Sequence, residues 1–343
     1  MRRSITTAGQ HGSAGPAIGK RTRWSAFVRT VLWTALSFGV ACYVFILVLD
    51  PYQNVPFSPP LGRAPVDTNQ RFAYPPLARR QVFDSAVLGT STSRLLDPGH
   101  LDPMFHARFV NLAMNGATAW EQTQMGELFL RHHPQARYLL IGVDLVWCET
   151  GKDYERYTFR LFPAWMYDEN RWNDLLYLFN DKALEQAVRE LEYLLGRRES
   201  KYRRDGYRYF LPDEKAYDLA KARRKIYGRE DFNVTTAQAV PTVEPALTRS
   251  NWVFPTHTLM RELLAAAPAS TQKVLFFVPY HEHVLRRQGK VYAQCKGRLI
   301  DIAAAFPNTH VVDYMRPSVL TREDRNYWDA LHYGSTVARA VEA

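Results

Sequence analysis

The chain reads as an α/β protein in three layers: a five-stranded, mainly parallel sheet covered by helices on both faces, interrupted by a helical insertion and preceded by one transmembrane helix. Three observations carry this. From about residue 80 onward, short apolar runs of strand length alternate with helix-length segments, the pattern of right-handed crossovers in a parallel sheet. Residues 150–250 break that alternation. The stretch 30–49 holds no charged residue and is long enough to cross a hydrocarbon core of about 30 Å as a helix.

Taken in chain order, residues 1–29 form a basic tail with Arg2, Arg3, Lys20, Arg21, Arg23 and Arg29 and no acid. The positive-inside rule keeps such a tail cytoplasmic and sends the rest of the chain across a bacterial inner membrane into the periplasm. A cleaved signal peptide is disfavoured because the apolar run is longer than an ordinary signal core. A lipoprotein signal at Gly39-Val40-Ala41-Cys42 is disfavoured because the residues after Cys42 stay apolar. Of the formal net charge of +10, the six tail cations account for six and leave +4 for the remainder. Nucleic acid therefore loses its main electrostatic support as a partner. With Cys42 in the span, only Cys148 and Cys295 could form a disulfide outside the membrane, and sequence leaves open whether they meet.

Residues 50–79 carry Pro56, Pro59, Pro60 and Pro65, the composition of a stiff, extended stalk. The domain proper is expected at 80–343. Its strands are predicted at residues 85–88, 109–113, 137–146, 273–279 and 310–314, with helices at 120–132, 258–267, 291–306 and from about Ser335 to the end. Within the insertion, 173–195 reads as an amphipathic helical hairpin closed by Gly196. The basic, aromatic run 197–208 that follows reads either as a lid holding an anionic or sugar-bearing polymer, or as a solvated charged face or partner interface.

The chemistry concentrates just beyond predicted strand ends, where parallel sheets place their sites. Ser91 lies in Val87-Leu88-Gly89-Thr90-Ser91-Thr92-Ser93 after the first strand, and Asp329-Ala330-Leu331-His332 follows the last. A serine becomes a nucleophile when a histidine takes its proton and a carboxylate orients that histidine. A helix cap at Ser91 or Ser93 is the plainer alternative. The Gly-x-Ser-x-Gly elbow of α/β-hydrolases is not met, since Ser93 stands where its second glycine would be.

These motifs resemble the SGNH (GDSL-like) hydrolase superfamily over residues 80–343, insertion aside. The resemblance implies a flavodoxin-like sandwich, Ser91 as nucleophile, His332 as base and Asp329 as its partner, with no cofactor. It also implies an oxyanion hole at Gly116, in Met114-Asn115-Gly116-Ala117, with the Ser91 amide as second donor. The superfamily's Gly-x-Asn-Asp motif falls on Gly142-Val143-Asp144-Leu145, so Asp144 replaces the donating asparagine, and Thr90 replaces the aspartate of Gly-Asp-Ser-Leu. An ionised Asp144 would repel an oxyanion, so it must be protonated, turned away or bound elsewhere, with Asn115 as a substitute donor.

The anchored architecture resembles the proteins that accompany membrane-bound O-acyltransferases in alginate acetylation and teichoic acid D-alanylation. That likeness implies an esterase or O-acyltransferase acting on acyl groups of an envelope or exported polysaccharide, with a multi-span acyltransferase as a partner. A hydrolytic esterase without a polysaccharide role and a silent scaffold are the alternatives. A metal pair at His281 and His283, facing one side of an extended segment, is a further rival without an evident third ligand.

Overall fold

The computed structural model describes residues 18–58, 62–228 and 252–343, with no side-chain detail for residues 18–22, 287 and 288. Arg2 and Arg3 of the basic tail, Pro59 and Pro60, and residues 229–250 of the insertion lie outside the described residues. Helix α1 (Ile18–Leu49) contains the candidate membrane span. The domain then follows as β1 (Ser85–Leu88), α2 (Pro98–Phe105), β2 (Phe109–Asn111), α3 (Ala119–His132) and β3 (Tyr138–Val143). The insertion contributes α4 (Asp181–Leu194) and α5 (Leu219–Tyr227), and the chain resumes with α6 (Thr256–Ala266), β4 (Gln272–Phe277), α7 (Glu282–Ala304), β5 (Thr309–Asp313) and α8 (Ser335–Glu342).

All five strands are parallel, in the order β2-β1-β3-β4-β5, which is the flavodoxin-like arrangement. Right-handed crossovers from β2 through to β5 place α3, α6 and α7 on one face, and contacts of α3 with α6 and of α6 with α7 agree. On the other face α8 meets α2, where Glu342 accepts from the Asp97 amide at 2.6 Å and pairs with His100 at 3.0 Å. Val87, Leu139, Ile141, Val143, Leu275 and Phe277 are fully buried between these layers. The register aligns Leu88 with Ile141 and Val143 with Phe277, and Phe277 with Asp313. The residues after these strand ends therefore share one edge of the sheet.

Several expected boundaries move for local reasons. Strand β3 stops at Val143 rather than 146, because the Asp144 side chain caps a 3-10 turn, Leu145–Cys148. Helix α7 starts at Glu282, well before residue 291, with His281 as its cap. The hairpin expected at 173–195 divides into a single turn, Asp174–Tyr177, and α4, whose first turn Asn180 caps.

The expected stalk is a correction. Tyr52, Val55, Tyr74, Leu77 and Ala78 are buried in the main core, and Asp50 caps the turn after α1 through the amides of Asn54 and Val55 at 2.8 and 3.2 Å. Arg63 donates to the Leu49 carbonyl at 3.1 Å and pairs with buried Glu190 of α4 at 3.0 Å. Pro56 takes the second position of a turn closed by the Ser58 amide on the Val55 carbonyl at 3.1 Å. The last turns of α1 join the domain, with Ile46 1% exposed. Cys148 and Cys295 form a disulfide that ties the turn after β3 to α7.

Candidate active site

Ser91 follows β1 through a constrained turn. Gly89 adopts φ 144°, and a Cβ there would lie 2.1 Å from the Ser93 hydroxyl. A Cβ on Gly142 of β3 would lie 1.8 Å from the same atom. The two glycines thus make room for Ser93, which is fully buried in the short turn Ser93–Leu95. Ser93 has become part of the interior, and neither it nor Ser91 caps this turn, whose N-cap Thr92 makes no side-chain cap bond.

The structure brings Ser91, His332 and Asp329 together. The Ser91 Oγ lies 2.8 Å from His332 Nε2, and His332 Nδ1 lies 2.9 and 3.0 Å from the two Asp329 oxygens. An ionised carboxylate only accepts, so Nδ1 carries a proton and Nε2 presents its lone pair to the serine hydroxyl. Burial pushes Asp329 up, but the hydrogen bond and charge attraction of His332, with the amides of Leu331 and His332, outweigh it and leave the carboxyl below its ordinary range. Both amides reach Asp329 Oδ1 at 2.9 Å. The i,i+3 spacing closes this local loop without help from elsewhere in the chain.

The histidine segment is fastened to the serine segment by a residue the motif does not contain. Buried Tyr333 donates its hydroxyl to the Thr92 carbonyl at 2.7 Å, and Tyr327 bridges antiparallel to Tyr333. The ring of Phe210, from the insertion, stands edge-on to His332 with centroids 5.8 Å apart. The guanidinium of buried Arg94 lies over the same Phe210 ring, 4.6 Å from its centroid.

Gly116 takes φ 54°, the left-handed region, at an open position. Its loop is tied to the serine turn by the Met114 amide, which donates to the Gly89 carbonyl at 3.0 Å. Arg71 grips the loop from behind, donating to the carbonyls of Asn115 and Gly116 at 3.3 and 3.4 Å. Because the peptide is trans, the Gly116 N–H points away from Arg71. Arg71 is itself fixed by Glu121 through contacts at 2.7 and 2.5 Å, with both side chains fully buried. Glu121 also completes the capping box of α3 with Thr118. Arg94 donates to Asn115 Oδ1 at 2.5 Å, so the Asn115 Nδ2 faces the other way as a donor.

Asp144 does not aim at an oxyanion. Its carboxyl accepts from the Thr90 hydroxyl and from the Val146 amide at 3.3 Å, and it is 1% exposed. Burial, against the hydrogen bonds of Thr90 and Val146, pushes it up from 3.8 to about 7. The two departures from the superfamily motifs, Thr90 and Asp144, are therefore partners of one another.

An acid held above its unfolded pKa favours the protonated folded state, so its contribution to stability falls as pH rises from about 4 to about 7. Asp144→Asn removes this dependence. Relative to the native chain, the variant is expected to gain stability between pH 4.5 and pH 8, by about 3 kcal/mol. Urea unfolding at the two pH values reads the difference, and a gap that does not change with pH would contradict the assignment.

His281 and His283 do not form the extended pair considered above. His281 caps α7, accepting the His283 amide at Nδ1 (3.1 Å) and donating from Nε2 to Asp324 at 3.0 Å. Glu282 is paired with Arg286 and Arg322, each at 2.6 Å. Among the described residues no group of three or more histidine, cysteine, aspartate or glutamate side chains is placed to hold a metal.

The basic run 197–208 is pinned along the β2 edge. The Asn111 amide donates to the Asp205 carbonyl at 2.8 Å, and Gly206, at φ 81°, comes so close that a Cβ would lie 2.4 Å from the Asn111 carbonyl oxygen. Arg203 pairs with Asp97 and Asp205 at 2.6 and 2.5 Å. No protein-family model matches the chain, and no curated protein matches it.

Proposed function

We propose that the chain is a membrane-anchored serine esterase or O-acyltransferase of the SGNH type, acting on acetyl groups of an envelope or exported polysaccharide. The hydrogen-bonded series Ser91, His332 and Asp329 at the carboxyl edge of the sheet is the observation that supports this most strongly. In this reading Ser91 Oγ attacks the ester carbonyl as its proton passes to His332 Nε2, and Asp329 steadies the imidazolium. The amides of Gly116 and Ser91 donate to the oxyanion. Collapse of the adduct breaks the bond to the leaving oxygen, which takes the proton from His332. Water or a sugar hydroxyl then gives its proton to His332 as it attacks the acyl-serine, and collapse of the second adduct passes that proton to the departing Ser91 Oγ. With an activated acetyl ester as donor, acetyl release or transfer should depend wholly on Ser91, and a Ser91→Ala chain that retains the native rate would end this reading.

The second reading is a catalytically silent scaffold that binds glycan or a multi-span O-acyltransferase. It is favoured by the position of Asp144, a carboxyl where the resemblance places a donating amide.

Helix α1 is long and apolar enough to span a membrane. With the cations of the tail inside, the domain faces the periplasm of a bacterial inner membrane, the oxidising side, where the Cys148–Cys295 disulfide would persist. A periplasm-active reporter fused after Ser58 of a truncated chain is expected to be active, and one fused within the first twenty residues inactive. Activity of a cytoplasm-only reporter at Ser58 would reverse the orientation.

A further inference from the structure

The end of α1 enters the domain beside an exposed aromatic ledge. Phe179 lies 3.7 Å from the position of a Cβ on Gly39 and edge-on to Tyr43, with centroids 5.7 Å apart. The Tyr43 hydroxyl donates to the Leu175 carbonyl at 2.8 Å. Around this junction Trp172, Leu176 and Phe179 are 65%, 82% and 62% exposed, and the ring of Phe57 rests near that of Trp172 at 6.3 Å. Helix α4 packs on α1 while presenting Asp181, Lys182 and Glu185 to solvent. Such charges do not enter hydrocarbon, so the part of α1 that α4 covers lies outside it. With the long Arg29 side chain reaching back to the cytoplasmic surface, the bilayer then extends from about Trp24 to about Tyr43, roughly 20 residues or 30 Å of helix. This sets the ledge at the headgroup level, where aromatic side chains concentrate.

A cavity of about 570 Å³ opens beside the ledge, lined by Asp50, Arg79 and Arg80, by Arg171, which precedes Trp172, and by Pro56 and Ser58, which flank Phe57. Its three guanidiniums are half-buried and donate to neutral oxygens. Arg79 reaches the Asn54 side chain at 2.6 Å and the Met166 carbonyl at 2.5 Å. Arg80 reaches the Gln53 side chain at 2.7 Å, the Arg204 carbonyl at 3.1 Å and the Arg63 carbonyl. Arg171 reaches the carbonyls of Asn54 and Val55 at 3.2 and 3.0 Å. Burial and then the charge of Arg171 pull Arg79 down to about 10, and burial with the charges of Arg204 and Arg63 does the same to Arg80. Two carboxyls lie close by, Asp50 in the lining and Asp174, which accepts from the Asn54 side chain, so the three guanidiniums outnumber the acids.

We propose that this arginine cavity binds the phosphate of an anionic phospholipid in the outer leaflet, seating the domain on the membrane through the adjoining ledge of Phe57, Trp172, Leu176 and Phe179. Planar guanidiniums suit a phosphodiester, and the exposed rings take the interfacial ends of its chains. The proposal rests on α1 spanning the bilayer.

The test uses the full chain purified in detergent and offered phosphatidylglycerol or phosphatidylcholine, with bound lipid counted by native mass spectrometry. Retention of one phosphatidylglycerol about tenfold more tightly than phosphatidylcholine is expected, and Arg80→Gln with Arg171→Gln should abolish that preference while Arg189→Gln leaves it intact. Equal retention of the two lipids by the native chain overturns the proposal, whatever the folding of the variants. So does competition by inorganic phosphate at the concentration of the lipid, which would make the cavity a site for free anions. Resistance to alkaline carbonate extraction reports separately on α1: extraction of the chain would remove the anchoring reading as well, whereas resistance with equal lipid retention removes only the lipid site.

Discussion

Replacing His332 with alanine is expected to slow phosphonylation of Ser91 by a fluorophosphonate by roughly 10²–10⁴-fold, the range typical of a lost general base. Stability should fall by no more than about 1–2 kcal/mol. The imidazole is partly exposed and its bonds run to Ser91 and Asp329, so its removal leaves no large cavity. The hydroxyl of Tyr333 continues to hold the segment to Thr92. Loss of folding in His332→Ala would mean that the motif serves to pin the last helix to the sheet, and an unchanged labelling rate would mean that another group activates the serine.

The largest effect on stability is expected at Glu121. Glu121→Ala strands the buried Arg71 guanidinium without its carboxylate, at a cost of roughly 3–5 kcal/mol. The pair Arg71→Met with Glu121→Leu removes both charges together and should restore most of that stability, since well-packed apolar side chains often replace a buried ion pair without loss. Acylation should not return with it. Without Arg71 the carbonyls of Asn115 and Gly116 are no longer held, and misplacing one oxyanion donor costs about 10²–10³-fold. A stable double variant that acylates at the native rate would show that Arg71 is structural only. Chemical denaturation and labelling kinetics on the same preparations separate the two roles.

Much of the sheet was legible because its signals are local. Ala86, Val87 and Leu88 make a continuous apolar run before Gly89, and with Ser85 they form β1 at the expected bounds. Asp329 and His332 lie three residues apart, so their meeting needs only a tight turn. What stayed hidden depends on residues far apart in sequence. Arg71 meets Glu121 across 50 positions, and Phe210 reaches the histidine from an insertion that read as either a lid or a charged face, whereas the meeting of Ser91 and His332 across 241 positions was expected only through the family resemblance. The prolines of residues 50–79 suggested extension, but composition does not report that Tyr52 and Val55 would find a core to enter. His281 is an uncommon helix cap, and its bond to Asp324 across 43 residues could not be read from spacing. Asp144 and Thr90 were each legible as departures, yet their pairing across 54 positions was not.

The central claim is that Ser91 is an activated nucleophile. The full chain should be treated with a fluorophosphonate, digested and mapped by mass spectrometry. A single adduct on Ser91 is expected, lost in Ser91→Ala, slowed at least about a hundredfold in His332→Ala and retained in Ser93→Ala; an unlabelled native chain, or an adduct on any other residue, would show that Ser91 is not an activated nucleophile.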